Sequence, residues 1–431
     1  MSRKSLFAII VSLLLIGATV VVWITQFQPA HPVEEPEQSN NEPPIQLGNI
    51  VSFDDAVNSF SFDLFKKFLT DPQQQGNVFT SPYSIFTALA MTYEGANGTT
   101  ADEMKNVLNI EQTNASFHEY MQALYRYLNQ KKEYNISTAN ALWIKENYPL
   151  LKEYKDLILT YYGGTSTGMD YSDPEEAAAI INGWIENNTN HLIKNLISSG
   201  DIDPVFTRLI LTNAIYFKGI WQVQFDEQNT TPRPFEVGGE GTVEVDTMRL
   251  TGTQDFFNYT DNDLMQILEL PYSGNDIAMV ICLPKEGHSI DDMISSLDCT
   301  RYQALIESMN QTMVDIYLPK FAIKTPLYSL KQYLIDLGMP TAFTSEADFS
   351  KMTGFRELSI SQVLHKAFIE VNEEGTEAAA ATGITMVTSV DGNQNHSHRI
   401  VFDANHPFLF LIQQKITGTI LFMGTVVNPS L

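Results

Sequence analysis

Reactive side chains are few in this sequence and badly spaced for catalysis. His396-Ser397-His398 could touch a metal ion, but no carboxylate or thiol ligand lies close in sequence, so a solvated loop is the simpler reading. His365 sits in the strand-like run Val363-Leu364-His365-Lys366-Ala367-Phe368, while Ser81 and Ser84 open an apolar helix. A serine hydrolase would need an acid and an oxyanion hole beside such residues, and nothing in the sequence supplies them. The chain has no G-x-S-x-G, H-E-x-x-H, Walker, G-x-G-x-x-G or C-x-x-C motif. No catalytic residue, metal or cofactor is expected, and the protein is read as not being an enzyme.

One segment departs from what a static fold needs. Glu373-Glu374-Gly375-Thr376-Glu377-Ala378-Ala379-Ala380-Ala381-Thr382 leads into an uncharged run that ends near Val390. It then passes into the polar stretch Asp391 to His398. Taken with period two, Thr376, Ala378, Ala380, Thr382, Ile384, Met386 and Thr388 share a face without a charge. Burying a charge there would cost several kcal/mol. Such a face could slide into a sheet. An Ala-rich helix is the competing reading, because alanine and Glu377 favour helices, and the residues alone leave both open.

The flanking elements suit an α+β domain with large, mainly antiparallel sheets. Val57, Phe60, Leu64, Phe65 and Phe68 fall on one helical face. Ser81-Pro82 and Asp173-Pro174 each read as a cap followed by proline at the first helical position. Thr99 to Glu103 opens a further helix, and Leu327 to Leu337 reads as one stopped by Gly338. Strands are expected at 209–217, 243–249, 277–283, 314–318, 358–371, 408–412 and 420–427, so helices dominate the first half and strands the second.

The chain has 431 residues, 44% hydrophobic, with a net charge of −25 and a pI near 4.6. Acidity of this kind repels phosphate, so nucleic acid is excluded as a partner. Two cysteines, Cys282 and Cys299, rule out a disulfide framework; a single bridge is neither required nor forbidden. Arg3 and Lys4 precede the uncharged run Leu6 to Ile24, which as a helix spans roughly 28 Å, about a bilayer's hydrocarbon thickness. Residues 1–5 are therefore read as a cytoplasmic flank and 6–24 as a membrane anchor or signal segment, with export of the remainder. Residues 25–48, rich in Pro, Glu, Gln and Asn, read as a disordered stalk, and 49–431 as one domain. N-x-S/T triplets scattered from Asn97 to Asn395 fit export.

From about Val51 to Pro429 the sequence resembles a serpin. The match rests on the 373–382 segment, on Asn77 to Ile85, on Leu211 to Trp221, and on Leu364-His365-Lys366-Ala367. Asn405 to Phe410 and Phe422 to Pro429 complete it. The resemblance implies an irreversible inhibitor of serine proteases, most simply a monomer, with a reactive-centre loop at about 375–398. A protease cuts the loop and forms an acyl-enzyme, and the loop then enters the main sheet before deacylation. It implies a hinge of Glu373, Gly375, Thr376, Glu377, Ala378, Ala379, Ala380, Ala381 and Thr382. It also implies a sheet-opening cluster of Ser81, Ser84, Asn213, His365 and Trp221. Family spacing puts the reactive bond at Ser389–Val390, and the small Ser389 implies elastase-like or subtilisin-like targets. A non-inhibitory relative acting as carrier, chaperone or storage protein is the alternative.

Overall fold

The computed structural model describes residues 47–49, 52–72, 76–110, 114–130, 133–238, 241–376 and 399–430. In chain order the strands of the first half are β1 (Val78–Thr80), β2 (Tyr134–Lys145), β3 (Thr165–Met169), β4 (Leu209–Ile220) and β5 (Thr231–Glu236). Then come β6 (Thr242–Leu250), β7 (Phe257–Asp261), β8 (Met265–Pro271), β9 (Ile277–Pro284), β10 (Asn310–Thr312) and β11 (Val314–Pro319). The chain continues through β12 (Phe321–Lys324), β13 (Tyr328–Ser329), β14 (Ile360–Val371), β15 (Gly375–Thr376), β16 (Ile400–Asp403), β17 (Phe408–Gln414) and β18 (Ile420–Val426). They form three sheets: β1-β18-β17-β9-β8-β7-β10, β16-β11-β6-β5, and a main sheet β12-β14-β15-β4-β2-β3 to which β13 adds by pairing with β14.

Both faces of the main sheet are covered, which explains the uninterrupted apolar run along β4. Leu209, Leu211 and Ile215 join the large core with the helices Asp54–Leu69 and Pro82–Glu94. The alternate residues Ile210 and Ala214 join a smaller core with Trp143, Ile181 and Ile185, beneath the helix Pro174–Asn188. That helix starts where expected, Asp173 accepting from the backbone N–H of Glu175 and Glu176. Val57, Phe60, Leu64, Phe65 and Phe68 are all buried.

Two local expectations change. Strand β2 lies in the half read as helical: its small and amide residues (Asn135, Ser137, Ala139, Asn140, Ala141) carry little strand propensity. It is nevertheless central, pairing with β4 over its length. The expected helix from Leu327 instead begins at Lys331, because Tyr328 and Ser329 pair with His365 and Leu364. After β14 the chain folds back at once. The two cysteines are free and buried, and burial pushes the Cys282 thiol up to about 12.

Among the described residues no helix is long and apolar enough to cross a membrane. The candidate anchor 6–24 and residues 25–46 of the candidate stalk 25–48 lie outside those residues; at the end of that stretch Leu47 is buried in the core, in the 3-10 turn Leu47–Asn49.

Candidate functional site: a short strand between two parallel neighbours

Strands β4 and β14 run parallel and pair directly from Leu209/Ile360 to Ile215/Ala367. Beyond that point they part, and the gap is already occupied. The chain reverses over Asn372–Gly375, with Asn372 N–H donating to Gly375 O and Gly375 N–H to Asn372 O. Asn372 Oδ1 also accepts from Glu374 N–H at 3.1 Å. The turn lays β15 antiparallel to both neighbours, with Thr376 opposite Val371 on one side and Gly219 on the other. Gly375 is required here by close approach: a Cβ would sit 2.0 Å from Gly219 O. Two hinge residues are thus seated as a strand.

The side chains at this end form a compact lock. Thr376 is fully buried, its hydroxyl bonded to that of Tyr272, and Tyr272 stacks on Trp221 with centroids 4.5 Å apart. Trp221 Nε1 donates to Asn372 O at 3.0 Å, and its backbone N–H to Glu374 O at 2.9 Å. Glu373 pairs with Lys320 Nζ at 2.9 Å and accepts from Thr230 Oγ1 at 2.7 Å. Burial raises the Glu373 carboxyl, but these two partners outweigh it and hold it below the usual range.

Further along the same strands lies a buried polar cluster. Ser81 N–H donates to His365 Nε2 at 3.2 Å, so Nδ1 carries the proton and donates to Asn213 Oδ1 at 2.6 Å. Asn213 Nδ2 donates to Asn140 Oδ1 and to Ser84 Oγ, and Ser84 Oγ donates to Asn140 Oδ1 at 3.0 Å. Ser81 Oγ donates to Leu421 O at 2.7 Å. His365 is wholly buried and pushed down to about 3. The cause is geometric as well as dielectric, since a second ring proton would meet the Ser81 N–H head-on. The arrangement ties β4, β14 and β2 to the helix beneath them.

Of the residues expected to work together, Ser81, Ser84, Asn213 and His365 meet in this cluster. Trp221 does not: it lies eight residues along β4 from Asn213, about 26 Å away, in the hinge lock. Asn140, Tyr272 and Lys320 are members that sequence reasoning missed. Asn140 left a trace, being a lone amide in the apolar run Ala139 to Trp143 where a polar group needs a partner. Tyr272 and Lys320 left none. Glu377, Ala378, Ala379, Ala380, Ala381, Thr382, Ser389 and Val390 lie outside the described residues, as do His396 and His398. Among the described residues no group of His, Cys, Asp or Glu could hold a metal ion.

The geometry is that of an α+β fold whose main sheet holds a short antiparallel strand between two parallel neighbours. The chain matches the serpin (serine protease inhibitor) family over residues 55–429, and it belongs to that family. A serpin-like protein of Methanosarcina acetivorans is 38% identical over 378 residues, covering 87% of this chain and 85% of its own. Human serpin B3 is 36% identical, covering 88% and 100%. Among solved structures, Serpin48 of the insect Tenebrio molitor has a TM-score of 0.76 at 32% identity, covering 89% of this chain and 98% of its own. Human thyroxine-binding globulin complexed with thyroxine has a TM-score of 0.76 at 29% identity, covering 87% and 98%.

Proposed function

We propose that this chain is an inhibitory serpin working outside the cytoplasm, held at the membrane by residues 6–24 or released after their cleavage. Its targets are serine endopeptidases with shallow specificity pockets. The observation that carries the reading is β15, whose two residues already sit in antiparallel register between β4 and β14.

Were the inserted loop to keep that register, one step along it would be one step back along β4, Thr382 would fall between Asn213 and His365, and Met386 would come opposite Leu209 at the far end. Thr376 faces the main core, so the even-numbered residues follow it inward, and none of them is charged. Thr382 would part the Asn213–His365 bond and offer a hydroxyl in its place. Insertion replaces one parallel pairing with two antiparallel ones, which are slightly more stable per residue.

Chemistry is supplied by the target. The protease serine Oγ attacks the Ser389 carbonyl, the Val390 amine leaves with a proton, and an ester joins the two proteins. Water would ordinarily hydrolyse that ester. Insertion carries it away with the strand first, distorting the bound protease. The small, uncharged residues Gly375, Thr376 and Ala378 to Thr382 favour this reading over a carrier, chaperone or storage role, which needs no insertable segment.

Incubation with subtilisin or pancreatic elastase tests it. The expected result is an SDS-stable adduct and a released peptide whose mass begins at Val390. Clean cleavage without an adduct would point to the non-inhibitory alternative.

A further inference from the structure

Sheet edges invite pairing with other chains, and most edges of this protein are blunted. Among the described residues β1 and β10 have three residues each. β5 carries Pro232 and Pro234, and β12 has four residues, with Lys320 before it and Lys324 at its end. On β16, Val401 O already accepts from Gln266 Nε2 at 3.2 Å. β3 differs. Its run Thr165-Ser166-Thr167-Gly168-Met169 closes the main sheet beside β2 with no charge and no proline.

The register shows which backbone groups are unspent. β3 runs parallel to β2, with Met169 opposite Lys145, and Met169 O accepts from Glu146 N–H at 3.0 Å. Residues alternate along a parallel ladder, so Thr165, Thr167 and Met169 turn N–H and C=O toward β2. Ser166 and Gly168 turn theirs away, and nothing among the described residues bonds to them. Thr167 and Gly168 are exposed, and a Cβ at Gly168 would meet nothing closer than Glu146 Cα at 3.9 Å. A second backbone therefore reaches this edge unobstructed.

The edge is also fixed in place. Before it, the helix Lys152–Tyr162 stops at Gly163 with a φ of 60°, where a side chain would overlap the Tyr125 ring. After it, Met169 and Tyr171 are buried in the smaller core, with Tyr171 OH donating to Trp143 O at 2.8 Å. A strand pinned at both ends adds little ordering cost to an association. Charge selects what arrives. No lysine or arginine lies between Lys155 and Lys194, whereas Asp170, Asp173, Glu175 and Glu176 follow the strand and are exposed or nearly so. The same acidity, with −25 on the whole chain, disfavours a second copy.

We propose that β3 is a docking edge for an extended, lysine- or arginine-bearing segment of a partner protein, which adds to the main sheet as a further strand. The site is separated from β15 by β4 and β2 and does not draw on the inhibitory reading.

A fluorescent peptide alternating lysine and valine, about seven residues long to match β3 and its flanks, tests this when titrated with the whole protein by anisotropy. Binding is expected, with slowed amide exchange over residues 164–170. Methylating the peptide's backbone nitrogens keeps its charge but removes its donors, and should weaken binding at least about tenfold. Gly168→Pro deletes an outward N–H without touching the ladder to β2, and should cause a similar loss. Absence of binding would overturn the proposal. Equal affinity for the methylated peptide would do so too, since charge alone would then explain it. Undiminished binding by a Gly168→Pro variant of wild-type melting temperature, or a dimer of this chain that the same substitution abolishes, would also contradict it.

Discussion

Replacing Thr376 with arginine probes the step on which inhibition depends. Thr376 is fully buried opposite Gly219, its hydroxyl against Tyr272 and the Trp221 ring behind. An unpaired guanidinium in that position carries an effective burial penalty of several kcal/mol. The stacked rings could return about 1–2 kcal/mol through a cation–π contact. The intact variant escapes this cost by unseating β15, so a net cost of about 3 kcal/mol falls on insertion and slows it by about 150-fold. An inhibitor that works near one-to-one has a margin of about 10- to 100-fold over deacylation, so Thr376→Arg inverts the outcome. The stoichiometry of inhibition should rise from near one to between about 2.5 and 16, with most of the chain recovered as cleaved serpin. Titration of active protease, with SDS electrophoresis of the products, reads both. A stoichiometry that stays near one in a folded variant would refute the argument, because the side chain would then have no part in insertion.

Thr382→Val should leave the melting temperature of the intact protein alone. It should lower that of the cleaved form by about 1–3 kcal/mol worth of stability, since the parted Asn213–His365 pair loses its replacement partner. His365 sets a pH dependence: its folded value is pushed down to about 3 against an ordinary 6.5, so the unfolded chain binds a proton that the folded one refuses. Its stability contribution is complete above pH 6.5 and falls with pH from there down toward 3, by about 2 kcal/mol at pH 5. Urea midpoints across this range should flatten in His365→Gln. Lys320→Ala strands the buried Glu373 carboxylate. Because the lysine itself is about a third exposed, the expected loss is about 1–2 kcal/mol, measured as a lower unfolding midpoint of the intact form.

How much of this was legible in the sequence depends on how local each cause is. Caps at Ser81 and Asp173 and the apolar face from Val57 to Phe68 are short-range patterns, and they appear in place. The β4 run was readable because both of its faces are covered. Strand β2 was hidden because its alanines and amides, chosen to fit under the helix Pro174–Asn188 and around Asn213, weaken any strand signal. Ser81, Asn213 and His365 could be grouped only through resemblance, since they are brought together by strand register across more than 280 positions of chain. The fold-back at Asn372 rests on a side-chain acceptor and on Gly375 passing Gly219 O, neither of which has a sequence period. Trp221, which the resemblance matches to an aromatic residue near the start of insertion, sits against Tyr272 and Asn372 and apart from the polar cluster.

The most direct test is thermal melting of the intact protein beside the same protein cut at the loop. A full new strand adds roughly ten or more net hydrogen-bond contributions of about 1 kcal/mol each. For a domain of about 380 residues that corresponds to a rise of about 10 °C or more. The account predicts that the severed molecule is the more heat-resistant of the two. Coincident transitions, or a lower one after cutting, would contradict it.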